Sequence, residues 1–409
     1  MKVLFLTYDH PFPIKYGGHV YTGNVARGMA SRVEAFEAMA YREDVTEQEV
    51  RSDDAADWTL FPKRKRSRLR QALSRLPVLA IDHKTRPFGE EVARKLDTLQ
   101  PDVIVFDHIA MVWLLPLVQR HRDAQPPERR PLLVYLSHNV ETDLRRQIAR
   151  NYDGNALLKT MARLDAEKAA RAERQLVDAC DITTAETTED ADRFGELFGC
   201  DRTVIVTPGY DGHYVEARTI DEQTPPDVVV LGGRLSLMKR LVLDQLLKDA
   251  ASEILSRGFG LHVVGPISDD YKRQVEQAHP EVTVHGFVDD VRPTLAKMRL
   301  GIIADHVGGG FKHRILTYVF NRVPIIAEPV AMAGVPLTPG EHYVPVDDYA
   351  AIPAALDEIG SDFGRLQAMQ DAAFDTCREY FSWDRTSEQF VTDLRERLDR
   401  RTQTTTTHA

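Results

Sequence analysis

The chain has 409 residues, more than a single hydrophobic core usually serves, so two domains of about 200 residues each are expected. Its formal net charge of −10 argues against DNA or RNA as a partner, because an acidic protein gains nothing from the field of a nucleic acid. No run approaches the roughly 20 apolar residues that a membrane-spanning helix needs.

Short apolar runs rich in β-branched residues alternate with amphipathic segments along the whole chain. This alternation is typical of parallel sheets covered by helices on both faces. Predicted strands in the first half span residues 2–7, 103–107, 132–137, 181–185 and 203–207, with helical patterns at 89–99 and 155–180. Predicted strands in the second half span 227–231, 261–265, 282–285, 300–304 and 323–327. The sequence therefore predicts an α/β protein with two Rossmann-like domains.

The segment from Pro208 to Pro226 contains many turn residues and few apolar anchors, so the linker between the domains is expected there. We place the first domain at 1–212 and the second at 213–380. Residues 381–401 have the pattern of a final amphipathic helix, which is too short to fold alone and is expected to pack back on the first domain. Residues 402–409 cannot bury surface and are expected to be disordered.

Two features bear on the expected location of the protein. Lys63–Arg70 has six cations among eight residues, and such a run favours peripheral contact with an anionic membrane or acceptor. The alternative is a solvated loop or helix face, because no apolar stripe that could insert into lipid lies beside the run. Cys180, Cys200 and Cys377 are widely separated, which fits a reducing cytoplasm better than a disulfide framework. The expected location is therefore cytoplasmic, with the inner membrane face as the site of any peripheral contact.

A glycine-containing loop follows the predicted strand 227–231, where backbone can approach a ligand closely. Gly232 and Gly233 precede two cations, Arg234 and Lys239, whose spacing suits a diphosphate at the carboxyl edge of a sheet. The alternative is an ordinary strand and turn followed by solvated cations.

Two further glycine loops follow the strands 300–304 and 2–7. Gly308–Gly310 precede cations at the start of a helix, where backbone amides and the helix dipole attract anions. Gly17 and Gly18 lie in a loop without the spacing of a P-loop or a dinucleotide fingerprint, which argues against an NTPase and a dehydrogenase. A flexible loop or a helix-entry turn is the alternative for each.

Together these loops resemble those of retaining GT-B glycosyltransferases of the family 4 type, known as glycosyl transferases group 1, over nearly the whole chain. In enzymes of this family, a strand is followed by Gly-Arg-Leu and, a few residues later, by Lys-Gly. The segment from Gly232 to Lys239 matches this motif, with Arg240 in place of the last glycine. Further matches are Val264–Pro266, His285–Val291 and, in shortened form, Pro208–Asp211. The resemblance implies the GT-B architecture, with a nucleotide-diphosphate sugar held in the cleft between the domains.

The resemblance also implies roles for particular residues. Arg234 and Lys239 would neutralise the donor diphosphate as it leaves, so neither a metal nor a cofactor is expected. His138, at the end of a strand, would contact the donor sugar as a third catalytic residue. The donor-binding residues implied are Gly17, Gly18, Gly233, Phe287, Val288, Gly308, Gly309, Gly310, Phe311, Lys312 and Thr317. The acceptor-side residues are Asp9, His10, His19, His108 and Asn139.

The sequence departs from the family at its pair of glutamates, which are separated by seven residues. Alignment puts Gly309 and Thr317 at these positions. A subset of relatives also has glycine at the first, whereas threonine at the second is unusual. A neutral hydrogen bond to ribose contributes about 0.5–1.5 kcal/mol against about 1.5–3 for a charged one, so a modest donor affinity is expected.

The function expected is transfer of a sugar from a nucleotide-diphosphate donor to an acceptor hydroxyl, with retention, in the biosynthesis of glycans or glycosylated natural products. One alternative uses the same cleft as a sugar-nucleotide epimerase or a pseudo-glycosyltransferase that joins cyclitols. The other is a nucleotide-binding subunit that activates a partner without catalysis. The sequence does not identify the sugar, the nucleotide, the acceptor or the oligomeric state.

Overall fold

The computed structural model describes residues 1–52, 56–63, 67–152, 155–235, 237–303 and 311–407, and it divides the chain into two compact units. The first unit contains residues 1–208, Phe311 and the chain from Trp383 onward. The second unit contains residues 209–308 and 312–382. Each unit is built on one predominantly parallel sheet, as predicted.

The sheet of the first unit has eight strands in the order β3-β4-β2-β1-β5-β6-β7-β8, and only the pair β3–β4 is antiparallel. The strands are β1 Lys2–Thr7, β2 Ala35–Arg42, β3 Glu49–Ser52, β4 Asp57–Pro62, β5 Val103–Asp107, β6 Leu132–Leu136, β7 Ile182–Ala185 and β8 Thr203–Ile205. Alternate residues of β1 enter different cores: Leu4 and Leu6 pack on one face, and Val3 and Phe5 pack on the other. Both faces of the sheet are therefore covered, which explains why β1, β5 and β6 are continuous apolar runs.

Helices of the first unit precede, follow and connect these strands. They are α1 Gly17–Ala30, α2 Arg68–Leu73, α3 Val78–Asp82, α4 Arg86–Leu99, α5 Leu115–Ala124, α6 Glu141–Arg150, α7 Ala156–Ala179 and α8 Thr188–Phe198, with 3₁₀ turns at Ile109–Leu114 and Pro127–Arg129. Asn155 and Thr187 cap α7 and α8, each accepting a backbone N–H three residues later. Because each parallel connection returns the chain to the same edge, the loops after β1, β5, β6 and β7 meet at the carboxyl edge of the sheet.

The last helix of the chain, α16 (Trp383–Thr407), belongs to the first unit and packs against α1. Phe390, Val391 and Leu394 are buried with Val3 and Phe5 in the same core. The helix continues past residue 401, so the segment 402–407, expected to be disordered, is helical; residues 408–409 lie outside the described part. Extending an existing helix adds one hydrogen bond for each residue that is fixed.

The sheet of the second unit has six parallel strands in the order β11-β10-β9-β12-β13-β14. They are β9 Asp227–Leu231, β10 Gly260–Val264, β11 Thr283–Gly286, β12 Leu300–Ile303, β13 Ile325–Ala327 and β14 Val344–Pro345. The helices are α9 Leu237–Leu246, α10 Ser252–Ser256, α11 Asp269–Ala278, α12 Arg292–Leu295, α13 Arg314–Phe320, α14 Ile352–Ile359 and α15 Phe363–Tyr380. A π-helical segment, Leu247–Ala251, joins α9 to α10, and 3₁₀ turns lie at Pro329–Met332 and Tyr349–Ala351.

Tyr318 fixes α13 against this sheet. Its hydroxyl accepts the backbone N–H of Leu231 at 2.8 Å and donates to the carbonyl of Val229 at 2.9 Å, at the end of β9. The ring lies over Gly301, where a Cβ would come within 2.5 Å of ring carbon Cε1. The glycine is therefore required for the close approach that positions the start of α13.

Candidate active site

His138 and Asp107 form a buried pair at the carboxyl edge of the first sheet, where β6 and β5 end. His138 Nε2 lies 2.5 Å from Asp107 Oδ1, and Thr22 Oγ1 donates to Asp107 Oδ2 at 2.9 Å. The Asp107 side chain is fully buried and that of His138 is nearly so. A buried carboxylate with a histidine and a hydroxyl as partners is a satisfied arrangement, whereas either group alone would be costly.

The pair shifts both ionisation equilibria toward the charged forms. Burial alone would lower the pKa of His138, but the charge and hydrogen bond of Asp107 raise it above its ordinary value. Burial alone would raise the pKa of Asp107, but His138, with hydrogen bonds from Thr7 and Thr22, lowers it. The arrangement thus favours the protonated form of His138 at the end of β6, with Nε2 directed to Asp107.

The other ring nitrogen of His138 faces the loop of Gly17 and Gly18. A Cβ added to Gly18 would lie 3.5 Å from His138 Nδ1 and 3.2 Å from the ring of Tyr16. A side chain at position 18 would therefore occupy the space beside Nδ1. The structure brings together two sets of predicted site residues, the first glycine loop and His138.

His108 is held by the protein on both sides of its ring. Nε2 lies 3.0 Å from Glu141 Oε1, and Nδ1 accepts the backbone N–H of Ala110 at 3.2 Å. Its φ of +77° lies in a region that residues other than glycine rarely adopt, so the local contacts must impose this conformation. Burial alone would raise the pKa of Glu141, but Arg145 and His108 lower it well below its ordinary value. His108 is placed here as a positioning residue for the edge of the sheet.

Two more buried carboxylates lie near this edge. Glu173 of α7 accepts the backbone N–H groups of Glu141 and Thr142 at 2.8 and 2.7 Å, and so caps the start of α6. Burial raises the pKa of Glu173 to about 7. Glu186, directly after β7, is buried, and its pKa is raised to about 8 by burial and by the charges of Asp190 and Asp107, against the opposing charge of His138. Phe311, which groups with this unit, donates its backbone N–H to Glu186 Oε2 at 3.3 Å.

A cavity of about 400 Å³ lies beside the loop after β1. It is lined by Asp9, His10, Phe12, Pro13, Lys15, Tyr16, His19, Arg42, Glu43, Asp44 and Lys63. Asp9 accepts hydrogen bonds from the Tyr16 hydroxyl at 2.8 Å and from His19 Nε2 at 3.1 Å, and it lies 2.8 Å from Lys63 Nζ. Burial alone would raise the pKa of Asp9, but His19 and Lys63 lower it to about 2. Three predicted acceptor-side residues, Asp9, His10 and His19, thus share one polar cavity.

Asn139 follows His138 at the same edge. Its backbone carbonyl accepts the Ser137 hydroxyl at 2.6 Å, which orders the turn before α6. Its side chain is half-buried.

In the second unit, two guanidinium groups converge on Gly232 at the end of β9. Gly232 has φ of +119°, and a Cβ there would lie 2.6 Å from Arg314 Nη1 and 3.2 Å from Arg234 Nη1. Arg234 is buried, and its Nη1 donates to the carbonyls of Gly232 and Gly233 at 2.9 and 3.1 Å. Arg314 Nη1 donates to the carbonyl of Leu231 at 3.3 Å. Backbone carbonyls therefore orient both guanidinium groups at the carboxyl edge of the second sheet.

The remaining predicted donor residues of the second unit lie on neighbouring segments. Lys239 is in the first turn of α9, and Lys312 is buried just before α13. Thr317 is half-buried within α13. Phe287 is exposed and Val288 half-buried directly after β11. Gly308, Gly309 and Gly310 lie outside the described residues.

Several residues of these clusters were not predicted from the sequence. They are Asp107, Glu141, Glu186 and Arg314. Asp107 and Glu186 follow the same rule that singled out His138, because each ends or follows a predicted strand at the carboxyl edge. Arg314 could have been found as a cation at the start of the helix after the glycine run.

Within the described part of the chain, no group of three or more His, Cys, Asp or Glu side chains is arranged to hold a metal ion. In the same part of the chain, no helix is long and apolar enough to cross a bilayer.

The match to a known protein family lies almost entirely within the second unit. Residues 226–362, about a third of the chain, match the family described as glycosyl transferases group 1. A sequence search of curated proteins found no match.

Solved structures match almost the entire chain at low sequence identity. Sucrose-phosphate synthase from Thermosynechococcus elongatus is 12% identical, with 97% of this chain and 98% of that chain covered and a TM-score of 0.69. Anabaena HepE, in complex with UDP and glucose, is 14% identical, with coverage of 97% and 100% and a TM-score of 0.63. The lipopolysaccharide outer core galactosyltransferase WaaB is 12% identical, with coverage of 96% and 99% and a TM-score of 0.60.

The two units have the fold of GT-B glycosyltransferases, and this fold together with the family match confirms the resemblance predicted from the sequence. Residues 226–362 carry the match to the glycosyl transferases group 1 family.

Proposed function

We propose that this protein transfers a sugar from a nucleoside diphosphate donor to an acceptor hydroxyl. The observation that carries the proposal is the convergence of Arg234 and Arg314 on Gly232, at the carboxyl end of the first strand of the family domain. Open α/β sheets bind ligands at this edge, and paired guanidinium groups fit the oxygens of a diphosphate. The complexes of Anabaena HepE with UDP and with UDP-glucose support a nucleotide-sugar donor.

The chemistry that follows is stabilisation of a leaving group. As the bond from sugar to phosphate breaks, negative charge grows on the diphosphate, and Arg234, Arg314 and Lys239 offset it. Cations already oriented by carbonyls need no reorganisation at that moment, which makes their contribution large. His138, whose protonated form Asp107 favours, supplies a hydrogen-bond donor at the edge of the first sheet, beside Gly18.

The cavity lined by Asp9, His10 and His19 is proposed as the acceptor side. It holds both signs of charge and several hydrogen-bonding groups, which suits a polar acceptor. Asp9, with a pKa of about 2, stays ionised at neutral pH and therefore acts as a hydrogen-bond acceptor rather than as a general base.

The test is calorimetric binding of UDP, GDP, ADP and dTDP, followed by release of nucleotide from the matching sugar donors. Arg234→Ala and Lys239→Ala are each expected to weaken diphosphate binding and to reduce turnover at least about tenfold, because each loses a cation at the leaving group. Arg273→Ala is the matched control, since Arg273 is exposed on α11 and pairs with Asp270.

Unchanged binding in both variants would place the donor elsewhere. Absence of binding of every diphosphate at millimolar concentration would favour the non-catalytic subunit. Conversion of a sugar nucleotide to its epimer, without an acceptor, would favour the epimerase. Retention of configuration belongs to the proposal, and the anomeric coupling constant of the product in ¹H NMR tests it.

We also propose that the surface of α2 and α7 contacts an anionic membrane. Lys168 Nζ donates to the carbonyls of Gln71 and Ala72, so the two helices are neighbours. Leu69 and Leu73 on α2, and Leu157 and Leu164 on α7, are all more than half exposed. These exposed leucines, which the sequence alone did not place near the basic run, support the proposal.

The described part of the basic run divides between two roles. Arg70 is exposed on α2, whereas Lys63 forms an ion pair with Asp9. Residues 64–66 lie outside the described part. Leu69→Ser with Leu73→Ser is expected to reduce sedimentation with phosphatidylglycerol vesicles severalfold, because exposed leucines flanked by cations anchor interfacial helices. Leu235→Ser, at an exposed leucine of the second unit, is the control. Equal sedimentation of all three proteins would exclude this surface.

A further inference from the structure

A second cavity lies in the first unit at the amino ends of β6, β7 and β8. Its volume is about 440 Å³. It is lined by Leu132, Asp181, Arg202, Arg397, Arg400 and Arg401. Leu132 begins β6, and Asp181 and Arg202 directly precede β7 and β8. The cavity is therefore at the opposite edge of the sheet from His138 and Asp107.

Four guanidinium groups in this lining face a single carboxylate. Asp181 Oδ1 pairs with Arg401 and, from outside the lining, lies 2.9 Å from Arg122 Nη2. Its Oδ2 accepts the backbone N–H of Leu133 at 2.8 Å. Arg202 and Arg397 donate to backbone carbonyls rather than to this carboxylate, so the lining keeps an excess of positive charge.

A second carboxylate near the cavity does little to change this balance. Arg400 Nη2 lies 3.9 Å from Glu396 Oε2, and both side chains are mostly exposed. A pair at this distance in water contributes little attraction.

Backbone carbonyls hold three of the cations in place. Arg202 Nη2 donates to the carbonyl of Val177 at 3.3 Å, and Arg397 Nη1 donates to that of Asp181 at 3.4 Å. Arg401 Nη1 donates to the carbonyl of Arg130 at 3.3 Å. Planar guanidinium groups oriented by neutral acceptors are suited to bind the oxygens of a phosphate in pairs.

We propose that this cavity binds a phosphate-bearing anion, supplied by a soluble phosphorylated compound or by an acidic lipid headgroup. Three of the four lining arginines come from α16 and the fourth from the loop before β8, so the anion bridges the last helix to the sheet. Binding therefore stabilises the first unit. Because the cavity and His138 lie at opposite edges of the sheet, the anion does not compete with a ligand at the carboxyl edge.

Thermal unfolding of the full chain with inorganic phosphate or pyrophosphate tests the soluble source. The wild type is expected to gain roughly 2–4 °C at millimolar pyrophosphate. Arg202→Gln with Arg400→Gln should lose more than half of this shift, and both residues are exposed enough for the fold to survive. Arg234→Ala should keep the part of the shift that the double arginine variant loses, which separates this cavity from the diphosphate site of the second unit.

Sedimentation with phosphatidylcholine vesicles, with or without phosphatidylglycerol, tests the lipid source. An acidic lipid headgroup is the ligand if the Arg202→Gln, Arg400→Gln variant loses binding to the anionic vesicles while the Leu69→Ser, Leu73→Ser variant keeps it. A soluble shift without vesicle binding assigns a free phosphate compound. If the arginine variant equals the wild type in both assays, or if the wild type responds in neither, the proposal is overturned and the arginines only fasten α16.

Discussion

His138 depends on Asp107 for its charge, and a change at Asp107 should therefore alter the chemistry of His138. Asp107→Asn keeps the shape of the side chain but removes the anion that raises the pKa of His138. Burial then dominates, and the imidazole loses its proton at a lower pH. We expect the His138 titration in NMR to move to lower pH.

The same substitution should reshape activity with pH. The alkaline limb of kcat/KM is expected to move to lower pH, because the imidazolium persists only below the lowered pKa. Asp123→Asn, at an exposed position on α5, is the control. An unchanged titration of His138 would show that Asp107 does not set its charge.

Glu186 should make stability depend on pH. Its pKa is about 8 in the folded protein and near 4.5 in an unfolded chain, so its protonated form favours folding. That contribution is complete below about pH 4.5 and is lost as the pH rises through 8, by up to about 1.4 kcal/mol per unit. Glu186→Gln cannot ionise, so its stability relative to the wild type should increase from pH 5 to pH 8.

Denaturant unfolding at several pH values measures this difference. Glu189→Gln, at an exposed position close by, should follow the wild type at every pH. Parallel curves for Glu186→Gln and the wild type would mean that Glu186 is ionised throughout this range.

Individual residues of the site were predictable where a strand signal preceded them. His138, Arg234 and Gly18 each follow an apolar run that the sequence shows clearly, and each lies at the carboxyl edge of its sheet. The partners of these residues were not predictable, because a contact such as that between His138 and Asp107 joins residues from separate strands. The sequence does not carry the register that brings them together.

Among the elements, α1 and α16 pack unusually closely. A Cβ added to Gly28 would lie 1.8 Å from Ser387 Oγ and 2.4 Å from Ser387 Cβ. Gly28→Ala is therefore expected to cost about 1–3 kcal/mol by overpacking, although alanine favours helix by about 1 kcal/mol. Combining it with Ser387→Gly should recover part of the loss.

A double-mutant cycle in denaturant measures the coupling between these two residues. Gly195→Ala on α8 is the matched control, because its nearest neighbour would be 3.7 Å away and the change should not destabilise. Additive effects of Gly28→Ala and Ser387→Gly would show that the helices adjust without strain.

The strands of the two sheets were predictable to different degrees. Every predicted strand is present within about two residues of its expected bounds, because fully buried parallel strands are continuous apolar runs. The missed strands are β2, β3, β4 and β14. In β2, alanines and charged residues replace the β-branched signal, and β3 is the edge strand, which pairs with β4 as its one neighbour.

At the scale of the whole molecule, the first unit depends on residues from the far end of the chain. Leu394 of α16 is fully buried in the core that includes Val3 and Phe5. Leu394→Asp places a carboxylate in this core and is expected to cost more than about 4 kcal/mol. The unfolding transition of the first unit should move to lower denaturant, while that of the second unit stays in place.

Limited proteolysis of each unit reports which transition has moved. Gln389→Glu introduces the same charge at an exposed position of the same helix and should cost only about 0.2–0.5 kcal/mol, because it places an exposed carboxylate beside Asp393. Equal loss of both transitions would mean that the units unfold as one cooperative body.

Because α16 packs on the first unit, that unit cannot finish folding until the end of the chain has been synthesised on the ribosome. Residues 1–208 emerge first, yet the helix that covers Val3 and Phe5 begins only at Trp383, after the second unit has been synthesised. At about 5–20 residues per second, translation of the intervening segment takes about 10–35 s. During that interval the nascent first unit presents an open apolar surface, so it is the part of the chain that a chaperone is expected to hold.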